Sequence, residues 1–211
     1  QLFTEFAQNR RNDPRVLESN YRLARCFQAI NKYDTAIALF EQIIRDNAGS
    51  DEALRSYVPL AQSYLLASSD KDFEKAERLL LQVLDGRMFQ PTAPQFRRGL
   101  IELGQMYLRI GRFPEAITRL KEAIERYPEG EEAIRLRFDL ADACRLSAAQ
   151  IEAKLREAMP LSERGELEKL RTERLRQGLS LYEEVRASID GLDPSRLTEM
   201  QRVLLRNAVL Y

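Results

Sequence analysis

From Leu100 to Gly130 the chain reads "LIELGQMYLRIGRFPEAITRLKEAIERYPEG", and the landmarks of this stretch return elsewhere in the same order. Leu103 and Gly104 are followed by Tyr107, then by Phe113, Ala116, Leu120, Ala123 and Pro128. Upstream, Leu23, Ala24, Phe27, Tyr33, Ala36, Phe40 and Ile43 repeat the series without a gap. Leu60, Ala61, Tyr64, Phe73, Ala76, Leu80 and Val83 repeat it again, with a short insertion near "SSDKD". A fourth copy opens with Leu140, Ala141 and Cys144. After a long insertion it resumes with Gly178, Tyr182 and Val185 in the slots of Ala116, Leu120 and Ala123. Self-similarity of this kind constrains the fold more than any single motif, because a unit this short cannot bury its apolar face alone and has to stack on its neighbours.

Within each copy the apolar residues fall at helical spacing, for example Ile117, Leu120, Ala123 and Ile124. The unit is therefore a helix, a turn and a second helix. Ala24, Ala61, Gly104 and Ala141 on one helix, and Ala36, Ala76 and Ala116 on the other, are small where two helix backbones must approach. Phe27, Tyr64 and Tyr107 fill the space between successive hairpins, and Cys26, beside Phe27, is expected to be buried with it. In "RIGRFP" the first helix is broken at Gly111 and the second restarts with Pro114 in its first turn. The three complete pairs are expected to break near residues 31–33, 68–71 and 110–113.

With these residues in place, the chain resembles the tetratricopeptide repeat (TPR) family, whose unit is a helix pair of about 34 residues with a small-residue and aromatic pattern. The resemblance implies an all-α fold, a right-handed α-solenoid of antiparallel helix pairs. It divides the chain into the second helix of a partial preceding repeat (1–14), repeat 1 (15–48), repeat 2 with its insertion (51–90), repeat 3 (93–128), repeat 4 (131–190) and the first helix of a truncated following repeat (194–211), all in one continuous domain. Repeat 1 departs from the pattern in having Ala48 where proline is usual.

Two further departures stand out. Pro59 lies inside the first helix of repeat 2, where it removes a backbone donor and is expected to kink or delay the helix, either as a harmless bend or as a reshaping of the groove. In repeat 4, about 147–166 reads as a helical insertion: a short helix over "AAQIEAKLREAM", stopped near Pro160, then a helix capped by Ser162 that runs to about Ile189. The first half of that elongated helix, from Glu163 to Arg176, is dense in charge. It reads either as a solvated extension or as a projecting arm that docks a partner.

Chemistry is excluded class by class. The chain has no histidine, which removes Ser-His and Cys-His nucleophile pairs and histidine metal sites. Cys26 and Cys144 have no partner at ligand spacing, and no phosphate- or dinucleotide-binding glycine motif occurs. Catalytic residues, metal ligands and cofactors are accordingly expected to be none. Lys and Arg number 33, and so do Asp and Glu, so no basic excess argues for nucleic acid and no apolar run argues for membrane insertion. The chain opens at Gln1 without a signal-peptide pattern or an initiator methionine, as a fragment or processed form does. Its degenerate repeats with a long second helix are also similar to those of bacterial cell-envelope scaffolds, which leaves periplasm and cytoplasm both open.

The family resemblance implies a protein-interaction scaffold that holds a peptide or helix of a partner in its concave groove. The other reading is a structural spacer or oligomerisation segment with nothing in the groove. In the family geometry the first helix of each unit faces the groove, which nominates Tyr21, Arg22, Arg25, Arg55, Gln62, Arg98, Glu102, Gln105, Arg109, Phe138 and Asp142, with Asp139 and Arg145 beside them. Arginine predominates, and its fork of donors suits carboxylates; these arginines read either as a surface for an acidic partner or as groups that form salt bridges within the chain or stay hydrated. The family variant that clamps a C-terminal carboxylate uses lysine and asparagine at set positions; Tyr21, Arg25 and Pro59 stand there in this chain, so that activity is not implied.

Overall fold

The apolar periodicity becomes helix throughout the computed structural model, which describes residues 14–67, 70–129, 132–190 and 197–210; among these residues there is no strand. Contacts group the chain into two compact units, Gln1–Glu102 and Leu103–Tyr211. The first contains α1 (Pro14–Ala29), α2 (Tyr33–Asp46), α3 (Asp51–Ala67), α4 (Asp70–Leu84) and the opening turns of α5 (Pro94–Arg109). The second contains the remainder of α5, then α6 (Phe113–Arg126), α7 (Ala133–Lys154), α8 (Leu161–Asp190) and α9 (Glu199–Leu210).

In the first unit, α1 and α2 pair, α2 and α3 pair, α3 and α4 pair, and α1 also touches α3. The turn between α1 and α2 is set by Asn31, whose φ of 60° lies in the left-handed region. The Lys32 N–H then reaches back to the Phe27 carbonyl at 2.9 Å. In the second unit the turn between α5 and α6 is the same device built with glycine: Gly111 has φ of 78° and the Arg112 N–H bonds the Tyr107 carbonyl at 2.9 Å. Both are helix C-terminal caps that satisfy otherwise orphaned carbonyls. The expected breaks at 31–33 and 110–113 fall at these turns. At the third, 68–69 lie outside the described residues and α4 starts at Asp70.

The small residues sit where helices touch. Ala24, Ala36, Ala61, Ala76, Ala116 and Ala141 are all fully buried, as are Phe40, Leu80 and Leu120, the large residues in the matching slots. Each of the latter contributes about 1.5–3 kcal/mol by leaving water. A Cβ added to Gly99 would stand 2.8 Å from Val83 Cγ1, and one added to Gly104 would stand 3.0 Å from Leu120 Cγ, so α5 packs backbone-close on both sides. Cys144 is buried, but Cys26, expected to be buried, is exposed. Phe27, next to it, is only half-buried, so that face of α1 does not form the seam that Tyr64 and Tyr107 form in the other copies.

Three local expectations need correction. Pro59 does not delay its helix: α3 starts at Asp51, capped by Ser50 Oγ on the Ala53 N–H at 3.1 Å, and runs through the proline. Hydroxyl groups stitch the passage, with Ser56 donating to the Glu52 carbonyl at 2.7 Å and Ser63 to the Pro59 carbonyl at 2.9 Å. The segment after Cys144 is not a separate short helix but the continuation of α7, which runs 22 residues. Ser162 does not cap α8, which already begins at Leu161, with the Arg164 N–H bonding the Pro160 carbonyl. The insertion thus lengthens both helices of one hairpin, and α8 extends for 30 residues, about 45 Å.

At the C-terminal side, Leu204 of α9 joins Phe138, Ala141, Tyr182, Val185 and Ile189 in one core cluster. The partial repeat expected over 1–14 lies outside the described residues except Pro14, which opens α1. Among the described residues no helix is long and apolar enough to cross a membrane.

Candidate functional site

In the first unit α1, α3 and the start of α5 share a cavity of about 210 Å³. It is lined by Tyr21, Arg25, Arg55, Pro59, Gln62 and Arg98, with Val58, Pro94 and Gln95 completing the wall. Helical spacing explains the convergence: Tyr21 and Arg25 are one turn apart on α1, and Arg55, Pro59 and Gln62 fall on one stripe of α3.

The guanidinium groups of this face differ in what they are free to do. Glu18 takes both Arg22, at 2.6 Å, and Arg55, at 2.7 Å. Arg55 is further paired with Asp51 at 3.0 Å and Glu52 at 3.3 Å. The Arg22 hydrogen bond, joined by Arg55, holds the Glu18 carboxyl below its ordinary pKa against partial desolvation. The Arg55 guanidinium also lies 4.9 Å from the centre of the Tyr21 ring, which itself meets Phe40 edge-on at 6.1 Å. Arg22 and Arg55 are therefore committed inside the unit. Arg25 and Arg98 are exposed, line the same cavity, and make no side-chain hydrogen bond or ion pair among the described residues.

Gln62 donates to Glu102 through Nε2, so these two groove candidates also satisfy one another. The second unit contains the same contact between Gln105 Nε2 and Asp139 Oδ2, at 2.7 Å. Burial raises the Asp139 pKa, with the Gln105 hydrogen bond and the charge of Arg135 opposing it and Asp142 adding to it. Asp142 accepts from the Tyr182 hydroxyl at 2.9 Å and from Arg145 at 2.7 Å. Burial, then the neighbouring Asp142, keeps the Tyr182 phenol protonated well beyond its ordinary range, although the Arg145 hydrogen bond opposes this. Phe138 is 8% exposed and stands edge-on to Tyr182 at 5.5 Å, so its ring belongs to the core and is not offered to a partner. Arg109 is exposed and makes no side-chain pair among the described residues.

Of the nominated residues, then, Tyr21, Arg25, Arg55, Gln62 and Arg98 come together around one cavity, while Gln105, Arg109, Phe138 and Asp142 lie in the second unit. Pro59 and Pro94 were not nominated as lining residues. Pro59 was legible: it stands at the step of α3 that Glu102 occupies on α5, one residue before the leucine landmark. Among the described residues no group of three or more His, Cys, Asp or Glu side chains is placed to hold a metal.

A family model described as "Tetratricopeptide repeat" matches residues 18–50, and one described as "Anaphase-promoting complex subunit 5" matches residues 60–150. No curated protein matches the sequence. Among solved structures, the chain is similar to the nearly identical TPR-like repeats of a putative kinesin light chain from Podospora anserina. That likeness has a TM-score of 0.54 and 19% identity, and it covers 92% of this chain and 93% of that one. It is also similar to a TPR repeats protein from Bacteroides fragilis, with a TM-score of 0.41, 15% identity, and 99% and 88% of the two chains covered. The helical hairpins and the Podospora anserina likeness assign the fold to the all-α solenoid class.

Proposed function

We propose, on the tetratricopeptide-repeat match over residues 18–50 and the TPR-like fold, that the chain is a protein-interaction scaffold whose first unit receives an acidic peptide or helix of a partner across α1, α3 and the start of α5. One observation carries this reading: a cavity between three first helices is lined by arginines and by no acidic residue, and Arg25 and Arg98 have no side-chain partner among the described residues. Guanidinium groups and the Tyr21 ring are residue types that anchor interfaces. Exposed cations of this kind recognise carboxylates and lose strength as salt screens them over about 8 Å at physiological ionic strength.

The test is selection of displayed peptides on the purified chain, followed by affinity measurement on wild type and on an Arg25→Glu, Arg98→Glu double variant. Acidic sequences should be enriched, and binding should weaken with salt and in the double variant while the helical spectrum is retained. Tight binding by the folded double variant would dismiss the groove. The charged first half of α8, from Glu163 to Arg176, would then be the surface to examine.

A further inference from the structure

We propose that the first half of α8 is a self-association surface. Its outer face docks antiparallel on the same face of a second copy of this chain, about a two-fold axis beside Arg171. The surface lies wholly within the second unit and is independent of the cavity in the first.

One stripe of α8 is spent on its own hairpin. Gly178, Tyr182, Val185 and Ile189 are buried, and toward the start of the helix Arg171 reaches Glu152 of α7 at 3.5 Å. The opposite stripe is Ser162, Glu166, Lys169, Glu173, Arg176 and Ser180, spaced alternately by four and three residues, and all six are exposed. Glu166, Lys169, Glu173 and Arg176 make no ion pair or side-chain hydrogen bond among the described residues. The charged face of α6 is different: there Arg119 and Arg126 both hold Glu122, at 3.1 and 2.9 Å. The ions on the outer face of α8 therefore contribute nothing to the hairpin that carries them.

The order of the charges selects the partner. Along the stripe it runs Glu, Lys, Glu, Arg between two serines, and read backwards it is its own complement. Antiparallel pairing sets Glu166 against Arg176 of the second copy, Lys169 against Glu173 and Ser162 against Ser180, and the two-fold axis makes each pair twice. Parallel pairing would set every charge against its own like. Alternate spacing by four and three is also the spacing of a seam along which two helices run together. The edges of the seam agree with the same register. Leu170, 37% exposed, meets Leu170 of the second copy on one edge. On the other edge Leu179, 55% exposed, faces Gly165 of the second copy. Gly165 lies inside α8, yet an added Cβ there would meet nothing within 4 Å, so its own chain gives it no packing reason to be small. Between two copies it leaves room for the leucine. The contact runs along residues 162–180, about 28 Å of helix. Exposed ion pairs are individually weak, so the dimer is a transient, salt-sensitive one.

The experiment is sedimentation velocity on the whole chain at increasing concentration, in low and in high salt. Wild type should pass from monomer to dimer in low salt, and high salt should weaken the dimer about tenfold or more. Lys169→Glu sets carboxylates against carboxylates across the seam, and Glu173→Lys sets ammonium groups against ammonium groups. Each variant alone should be monomeric, with the helical spectrum of wild type, because both positions are exposed. An equimolar mixture of the two variants should dimerise again, since each new charge then faces its opposite on the other chain. The Lys169→Glu, Glu173→Lys double variant should dimerise by itself for the same reason. Mixing would not restore a side chain whose role lay within its own helix. Wild type that stays monomeric in low salt at every concentration would overturn the proposal, and so would single variants that dimerise as wild type does. A mixture as monomeric as its components would overturn the antiparallel register.

Discussion

Two glycines of the second unit allow the same substitution to be tried in opposite surroundings. Gly104 lies in α5 and Gly165 in the first half of α8. Changing either to alanine removes the same backbone freedom and gains about 1 kcal/mol of helix propensity. The surroundings differ completely. At Gly165 a new Cβ meets nothing within 4 Å. At Gly104 it stands 3.0 Å from both Leu120 Cγ and Cδ2, and 3.3 Å from the Leu120 backbone nitrogen. Leu120 is fully buried and the nitrogen belongs to α6, so neither can simply swing away. Forcing one carbon into such a seam costs about 1–3 kcal/mol. The propensity gain is common to both variants and cancels in their difference. Gly165→Ala should therefore exceed Gly104→Ala in stability by about 1–3 kcal/mol, with Gly165→Ala above wild type and Gly104→Ala at or below it. Urea unfolding read by circular dichroism gives the ordering, and hydrogen exchange over 133–190 shows whether the second unit carries it. Equal stabilities, or a more stable Gly104→Ala, would mean that α5 and α6 do not meet at this residue.

The other predictions concern buried groups. Burial raises the folded pKa of Asp139, so its contribution to stability is full below the unfolded value of about 3.9 and is lost as pH rises through the folded value. Asp139→Asn keeps an acceptor for Gln105. It should be more stable than wild type at pH 7, with the advantage shrinking in acid; urea titrations at both pH values check this, and a less stable variant at pH 7 would contradict it. Burial pushes the Cys144 thiol up to about 11, although Arg174 opposes it, whereas Cys26 is exposed. Iodoacetamide at pH 8 should label Cys26 in the folded chain and Cys144 only after urea unfolding, as peptide mass spectrometry would show. Rapid native labelling of Cys144 would place α8 off α7.

The repeat made the hairpins legible because their requirements are local. A left-handed residue ends the first helix, whether it is Gly111 or Asn31, and a small residue marks each crossing. Burial at the ends of the pattern was less legible, because it depends on which neighbour covers a face. Leu23 occupies the same landmark as Leu60, Leu103 and Leu140, yet it is 45% exposed while those three are buried. Cys26 was misread for the same reason. The insertion was misjudged differently. "SAAQIEAK" contains no glycine or proline, so no local signal separates it from α7, and the apparent boundary existed only because the repeat pattern paused there.

Around the cavity that α1, α3 and the start of α5 share, sequence register could not say which charges were already paired. Arg22, Arg25, Arg55 and Arg98 look alike in the sequence, and Glu18 decides between them. It stands one helical turn before Arg22 on α1 and reaches Arg55 on α3, so a single carboxylate pairs with two of the four cations. The prolines act the opposite way. Pro59 lacks the side-chain acceptor that the same step of the repeat carries as Glu102 and Asp139, and so it leaves Arg25 available. What distinguishes this face is therefore a missing acid rather than an added base. A chain with equal numbers of acidic and basic residues can still present a locally cationic cavity, because exchanging one carboxylate for proline changes which charges remain unpaired without requiring a net excess.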